Sequence, residues 1–108
     1  SLSKYRAMWL LVMFDLPVDT KNARTDYSRF RKMLLTQGFT MLQYSVYARY
    51  CVSEEVGSPI RRRIRRNLPP DGQVRLLGVT DRQFAKMEVF WGDVRVQAEQ
   101  PPDQLLLF

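Results

Sequence analysis

An unbroken apolar run from Met8 to Phe14 is the strongest pattern in the chain, and Asp15 follows it directly. Because its odd and even positions are equally apolar, the run predicts a strand buried on both faces, in the middle of its sheet. Asp19 or Thr20 can cap a helix that follows, and Gly38 can end it. The helix is predicted by apolar side chains at helical spacing, namely Ala23, Tyr27, Phe30 and Leu34.

Shorter patterns over residues 39–83 predict the remaining elements of the domain. The elements that they predict are two strands over 39–52 with a turn at 43–45, a helix that begins at 53–55 or at 58–59, a strand over 73–79, and a short helical turn opened by a capping box at 80–83. The second helix has its inner stripe at Ile60 and Ile64.

The last part of the chain is less regular. Residues 87–91 are apolar but fit no single period, residues 92–103 are polar and resemble a linker, and residues 104–108 are a candidate strand. We therefore expect one domain over residues 1–108, in which 92–108 form a C-terminal extension. That extension either adds a strand to the sheet of a partner subunit, which we favour, or folds back onto its own sheet.

The order strand, helix, strand, strand, helix, strand predicts an α+β domain of the ferredoxin-like βαββαβ type with an additional C-terminal strand. Both helices would cover one face of the sheet. The other face of the central strand is equally apolar, and no predicted element remains to cover it. We therefore expect the domain to dimerise through its sheet with a second copy of itself.

The composition limits the kinds of partner and of catalytic residue that the chain can have. The chain of 108 residues has a formal net charge of +6, which favours a polyanionic partner, either nucleic acid or an anionic membrane. The longest apolar run is too short to span a bilayer. There is no histidine, so the commonest general base is missing. The single cysteine, Cys51, fits a buried thiol in a reducing cytoplasm better than a nucleophile.

Asp15 is the most informative polar residue, because it closes a central apolar strand where the sheet meets its loops. The simpler interpretation is a turn or capping aspartate. In a two-fold dimer, however, two copies of Asp15 could form an oxygen site for Mg²⁺ or Mn²⁺, which would allow phosphodiester hydrolysis without histidine. Asp19 and Asp26 are alternative ligands.

Five arginines within 61–66 form the second signal, and they predict a charged ridge that contacts backbone phosphates without reading base sequence. A solvated helix face is the alternative. The candidate nucleic-acid-binding residues are Arg24, Arg31, Arg61, Arg62, Arg65 and Arg66. Three tyrosines at strand spacing, Tyr44, Tyr47 and Tyr50, favour sheet packing over base stacking.

Several segments together resemble the CRISPR-associated Cas-two family, in the branch that accompanies type II systems. They are Phe14–Val18, Arg31–Phe39, Met41–Tyr47, Asn67–Gly72 and Val79–Phe84. Each motif alone is weak, but their order and spacing are specific, and the likeness extends from Trp9 to Phe108.

This resemblance implies a homodimer that bridges dimers of the integrase Cas-one and holds double-stranded spacer DNA. It also implies a Mg²⁺- or Mn²⁺-dependent endoribonuclease or endonuclease whose catalytic, metal-binding aspartate is Asp15, with Ser45 as a helper, and single-stranded RNA as another substrate. Three hypotheses remain: a metal-dependent nuclease, a non-catalytic DNA-binding scaffold, and a basic RNA-binding or toxin-like ribonuclease of the same fold.

Overall fold

The computed structural model describes residues 6–102 and contains a βαββαβ core followed by a short helix and a hairpin. The elements are β1 (Met8–Asp15), α1 (Lys21–Thr36), β2 (Thr40–Gln43), β3 (Val46–Cys51), α2 (Glu54–Arg66), β4 (Gln73–Thr80), α3 (Asp81–Ala85), β5 (Val89–Trp91) and β6 (Val94–Val96). The main sheet has the order β2-β3-β1-β4 with antiparallel neighbours. The ferredoxin-like prediction is thus confirmed, with β1 in the interior of the sheet.

The helix starts follow from local capping. The Thr20 hydroxyl accepts a hydrogen bond from the Ala23 N–H at 3.0 Å, so Thr20 caps α1. Ser53 caps α2 by accepting from the Val56 N–H at 3.3 Å, which selects the earlier of the two predicted starts. Pro59 therefore lies inside α2, where it removes one intrahelical hydrogen bond.

Both helices pack on one face of the sheet. The even positions of β1, such as Leu10 and Val12, are buried there against Phe30, Leu34 and Ile64. Gly57 allows α2 to approach closely, because a Cβ at this position would lie 3.4 Å from the Met8 sulfur. The helical stripes predicted from spacing are thus the side chains that fill this core.

The second face of the sheet is partly covered by the chain itself, so the expectation that no element remained for it is wrong. Trp9 on this face stacks on Phe84 of α3 with ring centroids 4.1 Å apart, and its indole N–H donates to Asp81 at 2.9 Å. Ala98 is buried in the same cluster, against which Val89 also packs. The cover is incomplete, because Leu11 is only partly buried against this cluster and Leu77 on the same face stays 49% exposed.

The second correction concerns residues 92–103, which are not a plain linker. Val94–Val96 is a strand that pairs antiparallel with β5, and Gly92 makes the turn with φ of +65°. Three paired residues per strand are too few to produce a clear alternating pattern, and the polar flanks obscure it. The candidate strand at residues 104–108 lies outside the described residues. Within 6–102, no helix is long and apolar enough to cross a membrane.

Candidate functional site

Asp15 is the last residue of β1 and is exposed, whereas Phe14 before it is buried. The strand alternation directs Phe14 toward the helices and places Asp15 on the second face, in register with Gln73 of β4. The Phe14 N–H donates to the Ser45 carbonyl at 3.1 Å. The carboxylate therefore projects from the end of a strand whose backbone is held by β4 on one side and by the β2–β3 turn on the other.

Ser45 forms that turn with φ of +63°, which is rare for a residue with a side chain. Its carbonyl holds the backbone beside Asp15. The structure thus brings the two predicted residues to one end of the sheet, and the contact that joins them is a backbone hydrogen bond between Ser45 and Phe14.

Gly72 also belongs to this site, although its sequence context predicts only a turn. Its φ is +90°, and a Cβ built on it would lie 2.6 Å from the Asp15 carbonyl oxygen and 2.7 Å from a Leu16 methyl carbon. The turn between α2 and β4 therefore packs directly on the backbone of Asp15. The Asp-Gly pair that ends this turn is the feature of the sequence that indicates a positive φ at Gly72.

Asp19 and Asp26, the alternative ligands, lie beside the loop that follows Asp15. They line a cleft of about 330 Å³ together with Asp71, between the start of α1 and the α2–β4 turn, and Asp15 is not among the residues that line it. Asp26 is also paired with Arg29 at 3.8 Å. Within the described part of the chain, no three acidic, histidine or cysteine side chains converge as a metal site.

The two predicted α1 arginines have local partners. Arg24 donates to the Val18 carbonyl at 3.2 Å, in the loop that follows Asp15. Arg31 donates through Nε to the Tyr47 hydroxyl at 3.0 Å, although the residue as a whole stays exposed. A guanidinium has five N–H donors, so each arginine has donors beyond the one that makes this hydrogen bond.

The α2 arginines fall into two sets. Arg61 is partly buried, pairs with Glu54 at 3.6 Å and lies across Gly78 of β4, so its charge is largely engaged. Arg62, Arg65 and Arg66 are exposed, and none has an ion-pair partner among residues 6–102. The last two lie in the final turn of α2, directly before the turn that contacts the Asp15 backbone.

The three tyrosines separate into packing and exposed side chains. Tyr47 is buried and stacks on Phe14 at 5.6 Å, and Tyr50 meets Trp9 edge-on at 5.5 Å. Tyr44, in the β2–β3 turn, is 78% exposed. Tyr27 lies beside the Tyr44 hydroxyl and raises the pKa of that phenol above its usual value. Packing is thus confirmed for two tyrosines and fails for the third.

Cys51 is buried, as its apolar surroundings predicted. Burial raises the pKa of its thiol, and the Arg49 guanidinium beside it opposes that shift. A buried neutral thiol does not serve as a nucleophile. A cavity of about 650 Å³ is lined by Trp9, Tyr50 and Glu99 among others, at the opposite end of the sheet from Asp15.

Comparisons with known proteins agree on one family. The family model described as CRISPR associated protein Cas2 matches residues 8–87. A protein of Parvibaculum lavamentivorans named "CRISPR-associated endoribonuclease Cas2" is 50% identical over 101 residues, which cover 94% of this chain and 100% of the relative. A protein of the same name from Flavobacterium psychrophilum is 45% identical over 107 residues, which cover 99% of this chain and 93% of the relative.

Proposed function

Since the chain belongs to the CRISPR associated protein Cas2 family, we propose that it is a CRISPR adaptation protein with metal-dependent endonuclease activity. In this proposal a homodimer bridges dimers of the integrase Cas-one and binds the spacer DNA duplex through its backbone phosphates. The relatives are named endoribonucleases, and the proposal extends that activity to this chain.

The observation that carries the nuclease proposal is the exposed Asp15 carboxylate on a backbone held from both sides. Its position is fixed by the hydrogen bond from Phe14 to Ser45 and by the close approach of Gly72. Groups that act on a substrate need such a rigid scaffold together with access to solvent, and Asp15 has both.

The donor chemistry fits Mg²⁺ or Mn²⁺. These hard cations prefer oxygen ligands, and Mg²⁺ is commonly held by one or two carboxylates while it keeps several of its waters. Asp15 supplies one carboxylate per copy, and Asp15 of a second copy would supply another. When bound, such an ion would activate a water molecule and stabilise negative charge on a phosphoryl group. The role of Asp15 is to hold the ion at the end of the sheet.

A homodimer fits the remaining apolar surface. Leu77 is 49% exposed on the second face, and Leu11, Met13 and Val46 are only partly buried there. Asp15 lies on this same face, at the edge of the uncovered part. A second copy that packs here would remove the apolar side chains from water and bring two Asp15 residues into one interface.

Phosphate binding would use the exposed arginines. Arg62, Arg65 and Arg66 present planar guanidinium groups that match phosphate oxygens, and Arg24 and Arg31 extend the basic surface along α1. Arg61 would contribute less, since Glu54 already faces it. No element of the described fold is placed to read base edges, so contacts to the backbone are the expected mode.

The scaffold without catalysis is the second candidate, and one observation favours it: within residues 6–102 of a single copy, no three acidic, histidine or cysteine side chains converge as a metal site. The toxin-like ribonuclease is less favoured, because the relatives described above carry CRISPR-associated names. The scaffold and the nuclease differ in whether the Asp15 carboxylate is needed for a chemical step.

The test compares Asp15→Asn with Asp93→Asn, which makes the same charge change on the β5–β6 turn. With Mg²⁺ and labelled single-stranded RNA or duplex DNA, we expect Asp15→Asn to lose at least about a hundredfold in cleavage rate, since loss of a ligand should cost no less than loss of its supporting contacts. Asp93→Asn should cleave like the parent. Equal cleavage by the parent and Asp15→Asn would contradict the nuclease assignment.

The DNA-binding part has its own test. Replacing Arg62, Arg65 and Arg66 by Glu should strongly weaken duplex binding, and the slope of log affinity against log salt should fall by about one for each phosphate contact that is lost. A control with Arg29, Arg82 and Arg95 replaced by Glu has the same net charge. If both triple variants bind alike, the ridge on α2 is not the binding surface.

A further inference from the structure

We propose that Tyr44 is a positioning residue for the single-stranded substrate of the proposed function, because its ring offers a stacking platform for an unpaired base. This inference deepens the proposed function and rests on it for the substrate and for the role of Asp15. Of the three tyrosines in the β2–β3 region, Tyr44 alone has its ring free in the described structure, since Tyr47 packs on Phe14 and Tyr50 on Trp9.

Tyr44 is tied to the Asp15 end of β1 in two ways. Its neighbour Ser45 accepts the hydrogen bond from the Phe14 N–H. Tyr27, which lies beside the Tyr44 hydroxyl, also packs edge-on against Phe14 with centroids 5.9 Å apart. Tyr44 thus shares the neighbour Tyr27 with Phe14, the residue that precedes Asp15, and Tyr44 itself is 78% exposed.

Exposure alone does not mark a binding ring, since single exposed apolar side chains are common on protein surfaces. The charge around the ring indicates its use. Arg31 donates a hydrogen bond to the hydroxyl of Tyr47, and the Tyr47 ring stacks on Phe14. Arg24 donates to a backbone carbonyl in the loop after Asp15. Aromatic rings interleaved with basic side chains are typical of surfaces that bind single strands, since each base has a face that can stack.

The geometry separates two substrate classes. Phe14 and Asp15 point to opposite faces of the sheet, so a nucleic-acid strand that contacts both Tyr44 and Asp15 has to cross the end of the sheet. A flexible single strand can bend in this way and present a base to Tyr44. In a duplex the bases are already stacked and paired, so the ring would find none to accept.

The test measures binding of a labelled single-stranded RNA of about 12 nucleotides, and of the matching duplex, in EDTA so that cutting does not interfere. We expect Tyr44→Ala to weaken single-strand binding by about five- to a hundredfold and duplex binding by less than about twofold. Tyr44→Phe keeps the ring and should bind single strands like the parent. Trp91→Ala removes an equally exposed ring, 76% open on the β5–β6 hairpin, and should also bind like the parent.

Three results would overturn the proposal: single-strand binding unchanged in Tyr44→Ala, an equal loss for the duplex, or an equal loss in Trp91→Ala. A loss in Tyr44→Phe as large as in Tyr44→Ala would also overturn it, since the hydroxyl and not the ring would then be the contact. Circular dichroism of Tyr44→Ala and of Tyr44→Leu checks that both stay folded. If the parent binds as expected but Asp15→Asn cleaves as well as the parent, only the nuclease assignment fails.

Discussion

Gly72 offers a direct test of how the Asp15 end of β1 is built. We compare Gly72→Ala with Gly92→Ala, because both glycines have positive φ, +90° and +65°, and only the first is crowded. At Gly92 an added Cβ would have no heavy atom within 4 Å. At Gly72 it would meet the Asp15 carbonyl oxygen at 2.6 Å, a backbone atom that cannot rotate away.

The expected magnitudes follow from this difference. A residue with a side chain costs about 1–2 kcal/mol in the left-handed region, and this applies to both variants. Gly72→Ala adds an overpacking cost of about 1–3 kcal/mol, since either the turn or the end of β1 has to shift. We therefore expect a loss of about 1–2 kcal/mol for Gly92→Ala and about 2–5 kcal/mol for Gly72→Ala.

The measurement is the free energy of unfolding from urea titrations at one protein concentration, which matters if the chain dimerises. Gly72→Ala should also shift the backbone of Asp15 and lower any cleavage that depends on that carboxylate, whereas Gly92→Ala should not. Equal losses of stability in the two variants would show that the close approach of the α2–β4 turn does not hold the end of the strand.

Two further predictions concern the open sheet face and the buried thiol. Leu77→Asp should convert a dimer to a monomer in light scattering, with a loss of about 2 kcal/mol or more in the free energy of dimerisation, because each copy withdraws the exposed half of this side chain from water. Leu68, which follows α2, is equally exposed at 50%, and Leu68→Asp should stay dimeric. A dimeric Leu77→Asp would refute the proposed interface. Burial raises the pKa of the Cys51 thiol above its reference value of 9.0, so folding favours the protonated form. This contribution to stability is complete below pH 9.0 and is lost as the pH rises through the native pKa. In urea titrations across that pH range, the parent should therefore lose more stability than Cys51→Ala. Parallel plots of unfolding free energy against pH for the two proteins would contradict this prediction.

The core elements could be predicted because each has a strong local signal. β1 is a continuous apolar run, α1 has a clean helical stripe, and Thr80–Gln83 forms the capping box that its spacing indicated. In these segments the local preferences and the tertiary packing require the same structure, so a single sequence was sufficient.

The second face could not be predicted in the same way. Trp9 is covered by Phe84 and Ala98, which are 75 and more positions away in the chain and belong to a five-residue helix and a short polar segment. Neither element is long enough to show a period, so the sequence gives no sign that they fold back onto the sheet. The grouping of the aspartates was likewise open, because only the fold shows that Asp19 and Asp26 line a cleft together with Asp71.

Antiparallel topology explains why the candidate site residues come together although they are distant in sequence. The end of β1, the β2–β3 turn and the start of β4 share one end of the sheet, and the last turn of α2 leads into the same region. Asp15, Ser45, Tyr44 and Gly72 are therefore neighbours by topology. The opposite end is closed by Trp9 and α3. The part of the second face left for a second copy thus includes the Asp15 end, so that a dimer formed there would couple its own assembly to the pairing of the two carboxylates.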